Sequence, residues 1–367
     1  MFTHTPGTAE KWSGDLTPEQ DHLLTGPHPD DPEVGETMAV WLNDPDQDIG
    51  VELRLHAKDG VVEGRATVYW TDGRILQARP EPKPIVDAAA PATDHLTYRC
   101  IEPYRRWQYE IDAWDLFVTT DEQMNTGAVA HTGVAKVSLN LDATTVTPVY
   151  IQGTLLPEAQ AAMRDYPGFW IAGRVTSGIV PSAARYDQAL SATGTITVDG
   201  ETRSFTGHGL RGHVRGVRKM AHFRSHAWME AVFPETGMAF GIQAHRSDVY
   251  GGKGYAFSEA FIWKDGRLYP NRIIYAPPVA GEDPYEEFLI ELACDELGLT
   301  RITGHDTRVS WITMGTHGLG GVSGQPMANE QTMGPGRFPN AATVMSQSLA
   351  VYDCDGVRGA GFAERSG

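Results

Sequence analysis

Short apolar and aromatic runs with two-residue alternation follow one another along almost the whole sequence. This pattern is typical of β-strands. The clearest strand candidates span 48–57, 61–70, 95–103, 105–120, 169–178, 194–200, 238–246 and 255–263. Asp-Gly pairs, which favour tight hairpins, stand at 59–60, 72–73, 199–200 and 265–266. The sequence therefore predicts an all-β protein with few short helices.

Two segments are less strand-like. Residues 156–166 predict a helix, because Pro157 lies near its first turn and Gly168 follows its end. Residues 283–298 fit either a helix with one apolar face or a strand, FLIELAC, followed by a turn. We prefer the strand, because the strand-like run 299–306 comes next and would complete a hairpin.

The chain length indicates two domains. A chain of 367 residues exceeds the usual size of a single domain. We place an N-terminal extension at 1–30, a first β domain at 31–185 and a second at 186–367. Because closed barrels leave no exposed strand edges, two packed β-barrels are the expected architecture.

The net charge, the cysteine spacing and the N-terminal sequence limit the expected partners and the expected compartment. The formal net charge of −17 repels phosphate backbones and anionic lipids, so we expect no nucleic-acid partner and no membrane insertion. Three widely spaced cysteines form no disulfide framework. The N-terminus has no signal-peptide pattern, so we expect a cytoplasmic protein. A homodimer is left open.

The segment 222–233 carries polar and apolar residues on opposite faces of one predicted strand. The apolar face must pack against a core. A tryptophan between a histidine and a glutamate is unfavourable on a solvated face, so we expect the polar face to line a barrel lumen. The polar face holds His222, Arg224, His226, Trp228 and Glu230, and the apolar face holds Phe223, Ala227, Met229, Ala231 and Phe233.

Two further strands alternate in the same way. In 255–263 one face is aromatic with a single carboxylate, and it forms either a pocket wall or a packed core between sheets. In 105–120 the face opposite Trp107, Tyr109 and Ile111 is polar, and we expect that face to be exposed. The aromatic face of 255–263 consists of Tyr255, Phe257, Glu259, Phe261 and Trp263.

The spacing of the histidines argues against a metal site. Same-face neighbours on a strand are about 6.5–7 Å apart, so His222 and His226 lie roughly 13 Å apart, too far to share one zinc ion. No HExxH or CxxC motif, phosphate-binding loop or GxSxG elbow is present. We therefore predict no metal and no cofactor.

A glycine-rich segment carries a resemblance to a known group of proteins. It resembles the G-x-G-x-R-D-H-x-W-G-x-R segment of a lipocalin-like, two-barrel (calycin-type) superfamily that includes carotenoid 1,2-hydratases, kievitone-hydratase-like proteins and fungal Diels-Alderases. Segments 102–113 and 359–364 are similar to this group more weakly. The resemblance implies two lipocalin-like β-barrels packed together. The matching residues are Gly207, Gly209, Arg211, His213, Gly216 and Arg218, followed by His226 and Trp228.

The chain departs from that segment at two positions. Where the resembling proteins have Asp and Trp, this chain has Gly212 and Arg215. If hydratase chemistry depends on that Asp, either another group has replaced it here or the reaction is different.

The resemblance and the ionisable residues together predict a cofactor-independent lyase or isomerase, of the hydratase or dehydratase type. Its substrate would be a hydrophobic small molecule such as a terpenoid, steroid or aromatic. A glutamate in an apolar pocket has a raised pKa and can act as an acid, with a histidine as the base. The candidate catalytic residues are Glu230, Glu259, His213 and His226, and the candidate substrate contacts are Arg211, Trp228, Tyr255, Phe257 and Trp263.

Two expectations about ligand binding remain open. The alternative function is a non-catalytic, lipocalin-like carrier of a hydrophobic ligand. The Gly- and Pro-rich loop 314–341 has almost no strand pattern and three methionines, which suits a lid over a pocket.

Overall fold

The computed structural model describes residues 12–29, 31–120, 123, 132–162, 184–216, 225–246, 255–277, 285–314 and 343–366. These residues are mostly in β-strands, so the predicted all-β class is confirmed. A 3-10 helix spans Pro18–Asp21, and the helix α1 spans Pro157–Ala162. α1 lies within the predicted helix 156–166, whose last residues are outside the described part.

The first eleven strands form one antiparallel sheet that closes on itself. Eight of them make the barrel, in the order β1-β2-β3-β4-β7-β8-β10-β11, and β11 pairs again with β1. The other three strands, β5, β6 and β9, pair with β3, β7 and β10 and lie outside this closed order. The strands are β1 (Gly35–Asp44), β2 (Ile49–Lys58), β3 (Val61–Tyr69), β4 (Arg74–Ala78), β5 (Lys83–Pro84), β6 (Leu96–Glu102), β7 (Arg106–Thr120), β8 (Gly133–Thr145), β9 (Tyr150–Ile151), β10 (Ala184–Val198) and β11 (Glu201–Gly216).

The remaining eight described strands close into a second antiparallel barrel, in which each strand pairs with the next and the last pairs with the first. The hairpin of β16 and β17 confirms the strand predicted for FLIELAC. The strands are β12 (Ser225–Phe233), β13 (Met238–Arg246), β14 (Tyr255–Lys264), β15 (Arg267–Tyr275), β16 (Phe288–Cys294), β17 (Gly298–Met314), β18 (Thr343–Cys354) and β19 (Val357–Ser366).

The hairpins confirm the turns expected from the Asp-Gly pairs. Both residues of the pairs at 59–60, 199–200 and 265–266 have positive φ, as a two-residue type I′ turn requires. At 72–73 only Gly73 has positive φ. A fourth pair with both residues at positive φ, 355–356, joins β18 to β19.

β7 shows how a bulge changes an alternation that the sequence displays. Trp107, Tyr109 and Ile111 are buried while the residues between them are mostly exposed, as expected for a strand with one solvated face. The pairing with β8 then shifts after Ile111, where Ala113 adopts a φ of 43°. As a result Trp114, which strict alternation places on the polar face, is buried.

The inner faces of the strands fill both barrels with apolar side chains. Val40, Leu53 and Trp107 belong to the first core, and Met229 and Phe240 belong to the second. Burying an aliphatic or aromatic side chain of this size contributes about 1.5–3 kcal/mol. In the described residues both barrel interiors are therefore packed cores.

The outer faces of the barrels meet in an aromatic contact. The ring of Phe362 stacks on Trp41 of the first barrel at 5.0 Å between centroids, and its partner on the other side is Trp228 at 4.6 Å. Ala39 and Leu210 complete this cluster. Since these residues lie on outward faces of their strands, the interface buries side chains that a single barrel would expose.

The predicted division of the chain at residue 185 is wrong for the barrels. β10 and β11 pair with β8 and β1, so residues 184–216 complete the first barrel. The second barrel begins at Ser225. The sequence pattern indicates this strand only from residue 194, whereas the strand starts at Ala184. The described residues of the predicted extension pack on the first barrel, with Leu23 in its core.

Candidate functional site

β12 turns its two faces to different barrels. Ala227, Met229 and Ala231 point into the second barrel, while Trp228 and Glu230 point outward to the first. The expectation that the polar face lines a barrel lumen is therefore wrong. The first barrel covers that face, so both faces of β12 are buried.

β14 has the same arrangement. Phe257, Phe261 and Trp263 lie on its outer face and pack with Tyr150 and Leu155, which precede α1. Of the two alternatives for this strand, the packed core between the domains is the one observed. The third predicted aromatic contact, Tyr255, packs against the core of the second barrel, where its hydroxyl accepts the backbone N–H of Ala276 at 3.2 Å.

Glu259 anchors the segment between β9 and α1. Its carboxylate accepts the hydroxyl of Tyr150 at 2.9 Å and the backbone N–H groups of Gly153 at 2.6 Å, Leu156 at 3.1 Å and Leu155. Burial raises its pKa to about 7, against the opposing effect of these hydrogen bonds. With four donors directed at it, Glu259 is well placed to hold the chain between the barrels.

Replacing Glu259 by alanine is expected to lower the free energy of unfolding by about 3 kcal/mol near pH 5, because buried donors lose their acceptor. A carboxyl group whose pKa is raised on folding stabilises the fold below its unfolded pKa, and this stability is lost as the pH rises through 7. The cost should therefore shrink by pH 8. Urea unfolding at both pH values measures it, with Glu291→Ala on an exposed ion pair as the control. Equal costs at pH 5 and pH 8 would contradict the role of the raised pKa.

Arg211 and His213 lie inside the first barrel, away from Glu230. Arg211 binds Asp21 at 2.5 Å, and Nε2 of His213 lies 3.0 Å from Oε1 of Glu36. Nδ1 of His213 lies 3.4 Å from the hydroxyl of Tyr186. Burial lowers the pKa of His213, partly offset by Glu36. Because His213 pairs with Met38 on the inner face of the first barrel, the structure does not bring it together with Glu230 on the outer face of the second barrel.

Five side chains from the two barrels form a buried polar group that we call the inter-barrel cluster: Arg185, Asp187, Trp228, Glu230 and Gln243. The Nε of Arg185 lies 2.9 and 3.0 Å from the two carboxylate oxygens of Asp187, and Gln243 donates to Asp187 at 3.1 Å. The guanidinium carbon of Arg185 lies 3.7 Å from the ring centroid of Trp228. The cluster thus joins β10 to β12 and β13.

Glu230 is the carboxyl group of the cluster with unused hydrogen-bonding capacity. It is 1% exposed, and its Oε1 has no hydrogen-bond partner among the described residues. Burial raises its pKa well above the ordinary value, the charge of Asp187 raises it further, and Arg185 opposes both. These effects favour the protonated, neutral form of Glu230, which is the form that can donate a proton.

His226 lies on the same face as Trp228 and Glu230, in an adjoining set of hydrogen bonds. Its Nε2 is 2.9 Å from Oε1 of Glu364, and its Nδ1 is 2.6 Å from the hydroxyl of Ser366. Burial raises the pKa of Glu364, but the hydrogen bond and charge of His226 outweigh it and hold the pKa far below the usual range. Desolvation lowers the pKa of His245, which stacks on His226, to about 3. This dyad of a histidine and a carboxylate lies two strand positions from Trp228.

The structure brings together three of the residues predicted from sequence, His226, Trp228 and Glu230. Arg185 and Asp187 belong to the same buried cluster, although they are not among the site residues predicted from the sequence. Their signal was the alternation of charged and uncharged residues in 185–188, which continues into the strand recognised from 194.

Some expectations fall outside the described residues. These are the strand predicted at 169–178, the motif residue Arg218, the strand positions 222–224, and the lid expected at 314–341, of which only Met314 is described. Over the ranges that are described, no group of three His, Cys, Asp or Glu side chains is arranged to hold a metal ion. In the same ranges, no helix has the length and apolar character needed to cross a membrane.

Two closed eight-stranded barrels, packed through their outer faces around a buried polar cluster, define a lipocalin-like two-barrel protein. The family described as a domain of unknown function, DUF7064, matches residues 18–269, and the chain belongs to this family. No curated protein matches the sequence.

Solved structures share the fold. AttH (NE1406) from Nitrosomonas europaea is 14% identical with a TM-score of 0.53, covering 93% of this chain and 94% of that one. CghA with Sch210972 is 8% identical with a TM-score of 0.50, covering 91% and 88%. Kievitone hydratase from Nectria haematococca is 10% identical with a TM-score of 0.47, covering 99% and 96%. The first two likenesses establish the shared two-barrel fold that the sequence resemblance implied.

Proposed function

We propose that the protein is a cofactor-independent enzyme that adds water to, removes water from, or isomerises a hydrophobic small molecule, with Glu230 as the proton donor. One observation carries the proposal. Glu230 is a buried carboxyl with a raised pKa and an oxygen that no described group satisfies. The buried carboxylate of Glu259, which anchors the segment before α1, is instead surrounded by donors.

The chemistry follows from a neutral acid in a desolvated place. The Glu230 proton is transferred to one carbon of an alkene, whose π electrons form the new C–H bond, and a carbocation remains beside the Glu230 carboxylate. Water attacks the cation, and the carboxylate takes back a proton from the added water. Dehydration of a tertiary alcohol follows the same steps in reverse, and loss of a different proton from the cation gives an isomer.

Trp228 is the predicted substrate contact that lies within the cluster. Aromatic faces can stabilise a cation, but Arg185 already lies over the ring of Trp228. We therefore assign the stabilisation of positive charge to the carboxylate left on Glu230, and assign to Trp228 the role of excluding water. His226, paired with Glu364 on the same face of β12, is the predicted base for a transferred proton.

The packing of the barrels supports a site between them. A lipocalin-type carrier holds its ligand inside a barrel, whereas the described interiors are filled by the protein's own side chains. The structure of CghA contains Sch210972, so a protein with this fold can accommodate a small molecule. Both points favour a small-molecule enzyme over a lumen carrier.

The proposal is tested by native mass spectrometry of the purified protein, extraction of any bound compound, and incubation with a panel of alkenes and tertiary alcohols. A product that has gained or lost one water, or an isomer with a new retention time, is expected. Heat-denatured protein is the control. A tightly bound compound recovered unchanged, with no conversion across the panel, would contradict the enzyme and support a carrier.

A further inference from the structure

Gly212 leaves room on the outer face of the first barrel for a side chain from the next strand. Gly212 pairs with Asp187 across β10 and β11. A Cβ atom added to Gly212 would overlap Oδ1 of Asp187 and would lie 3.4 Å from a guanidinium nitrogen of Arg185. The Asp187 carboxylate therefore lies over the bare backbone of Gly212, and from there it reaches the second barrel.

We propose that Asp187 and Glu230 act as an electrostatic pair of carboxyl groups at the inter-barrel cluster, in which Asp187 is the charged member that keeps Glu230 protonated. Asp187 is thus a positioning residue for the acid. This inference rests on the proposed function for its catalytic meaning, while the pairing itself is measurable without a substrate.

The hydrogen-bond donors decide which member carries the charge. Both oxygens of Asp187 accept from Arg185, and Oδ2 also accepts from Gln243, so the ionised form of Asp187 has three donor contacts. Oε1 of Glu230 has none among the described residues. Gln243, which donates to Asp187, pairs with Trp228, two positions from Glu230 on the same face of β12, so the two carboxyl groups lie in the same buried layer. Two carboxyl groups in such a desolvated place cannot both ionise at low cost, and the one with donors is the one that ionises.

The other groups that face Glu230 leave this assignment unchanged. Across the strands its neighbours are Gly241 and Phe362, which carry no charge. On its own strand the same face holds Trp228 and Val232. From the first barrel the charged groups are Asp187 and Arg185 alone among the described contributors, and Arg185 is already engaged by Asp187.

The experiment follows the carboxyl C=O stretch of Glu230 by infrared spectroscopy across a pH titration, with Glu230→Gln assigning the band. In Asp187→Asn the negative neighbour is gone and Arg185 loses its counter-ion, so ionised Glu230 is favoured. The band should then disappear at a pH lower by about 1 unit or more than in the native protein. Asp142→Asn, on an exposed ion pair, is the matched control and should leave the midpoint unchanged.

Gly212→Ala provides a second variant in case Asp187→Asn fails to fold. The added methyl displaces the Asp187 carboxylate, and the midpoint should move in the same direction. An unchanged midpoint in a folded variant of either kind would overturn the pair. The titration uses no substrate. If no compound of the panel is converted, the proposed function is contradicted, but the result of the titration still holds.

Discussion

Replacing Glu230 by glutamine is expected to lower kcat by about 10²- to 10⁴-fold on the compound that the panel identifies, because the transferred proton is lost while the side-chain shape is kept. KM should change little, since a neutral amide replaces a neutral acid of the same size. The native enzyme should be active at low pH and lose activity as the pH rises through the raised pKa of Glu230. Steady-state kinetics across pH measures both effects.

The control for this prediction is Glu201→Gln, which makes the same chemical change on an exposed side chain paired with Arg203. Its kcat should equal that of the native protein, and thermal unfolding should confirm that both variants are folded. Full activity of folded Glu230→Gln would remove this residue from the mechanism. Attention would then move to His226 and its partner Glu364.

Local sequence signals predicted the fold well because they have local causes. Asp-Gly pairs readily adopt positive φ and therefore favour tight turns. Alternation over 5–10 residues indicates that one face of a strand is buried and that the other face has a different environment. Alternation does not indicate which part of the protein packs on the second face. On β12 the sequence indicated a polar face that avoids water, which is correct, but a barrel lumen and a second barrel satisfy that condition equally. The packing of two barrels decides between them.

The candidate site was only half predictable for the same reason. Glu230 and Trp228 stand out because they share a strand, whereas Asp187 meets them only across the barrel interface, more than forty positions earlier in the chain. The sequence did show that this chain has Gly212 where the resembling proteins have an Asp. The structure shows that the adjacent strand brings a carboxylate to that point, which no single-strand pattern encodes.

A buried ion pair, which the sequence pattern did not indicate, holds the N-terminal segment against the first barrel. Asp21, in the 3-10 helix at Pro18–Asp21, is fully buried against Arg211. It also accepts the backbone N–H of Tyr104 at 2.6 Å and the hydroxyl of Tyr186. The motif residue Arg211 therefore fixes the N-terminal segment to the barrel, and its other polar contacts include Gln188 at 2.8 Å.

Replacing Asp21 by alanine is expected to lower the free energy of unfolding by about 3–5 kcal/mol, because it leaves the Arg211 guanidinium buried without its counter-ion. Asp94→Ala removes a carboxylate from an exposed pair with Lys83 and should cost about 1 kcal/mol or less. Urea unfolding followed by circular dichroism compares the two. If both variants unfold at the same urea concentration as the native protein, the ion pair contributes nothing net, and closure of the barrel must depend on apolar contacts such as that of Leu23. A large loss for Asp21→Ala alone would show that the buried pair of Asp21 with the motif residue Arg211 stabilises the first barrel.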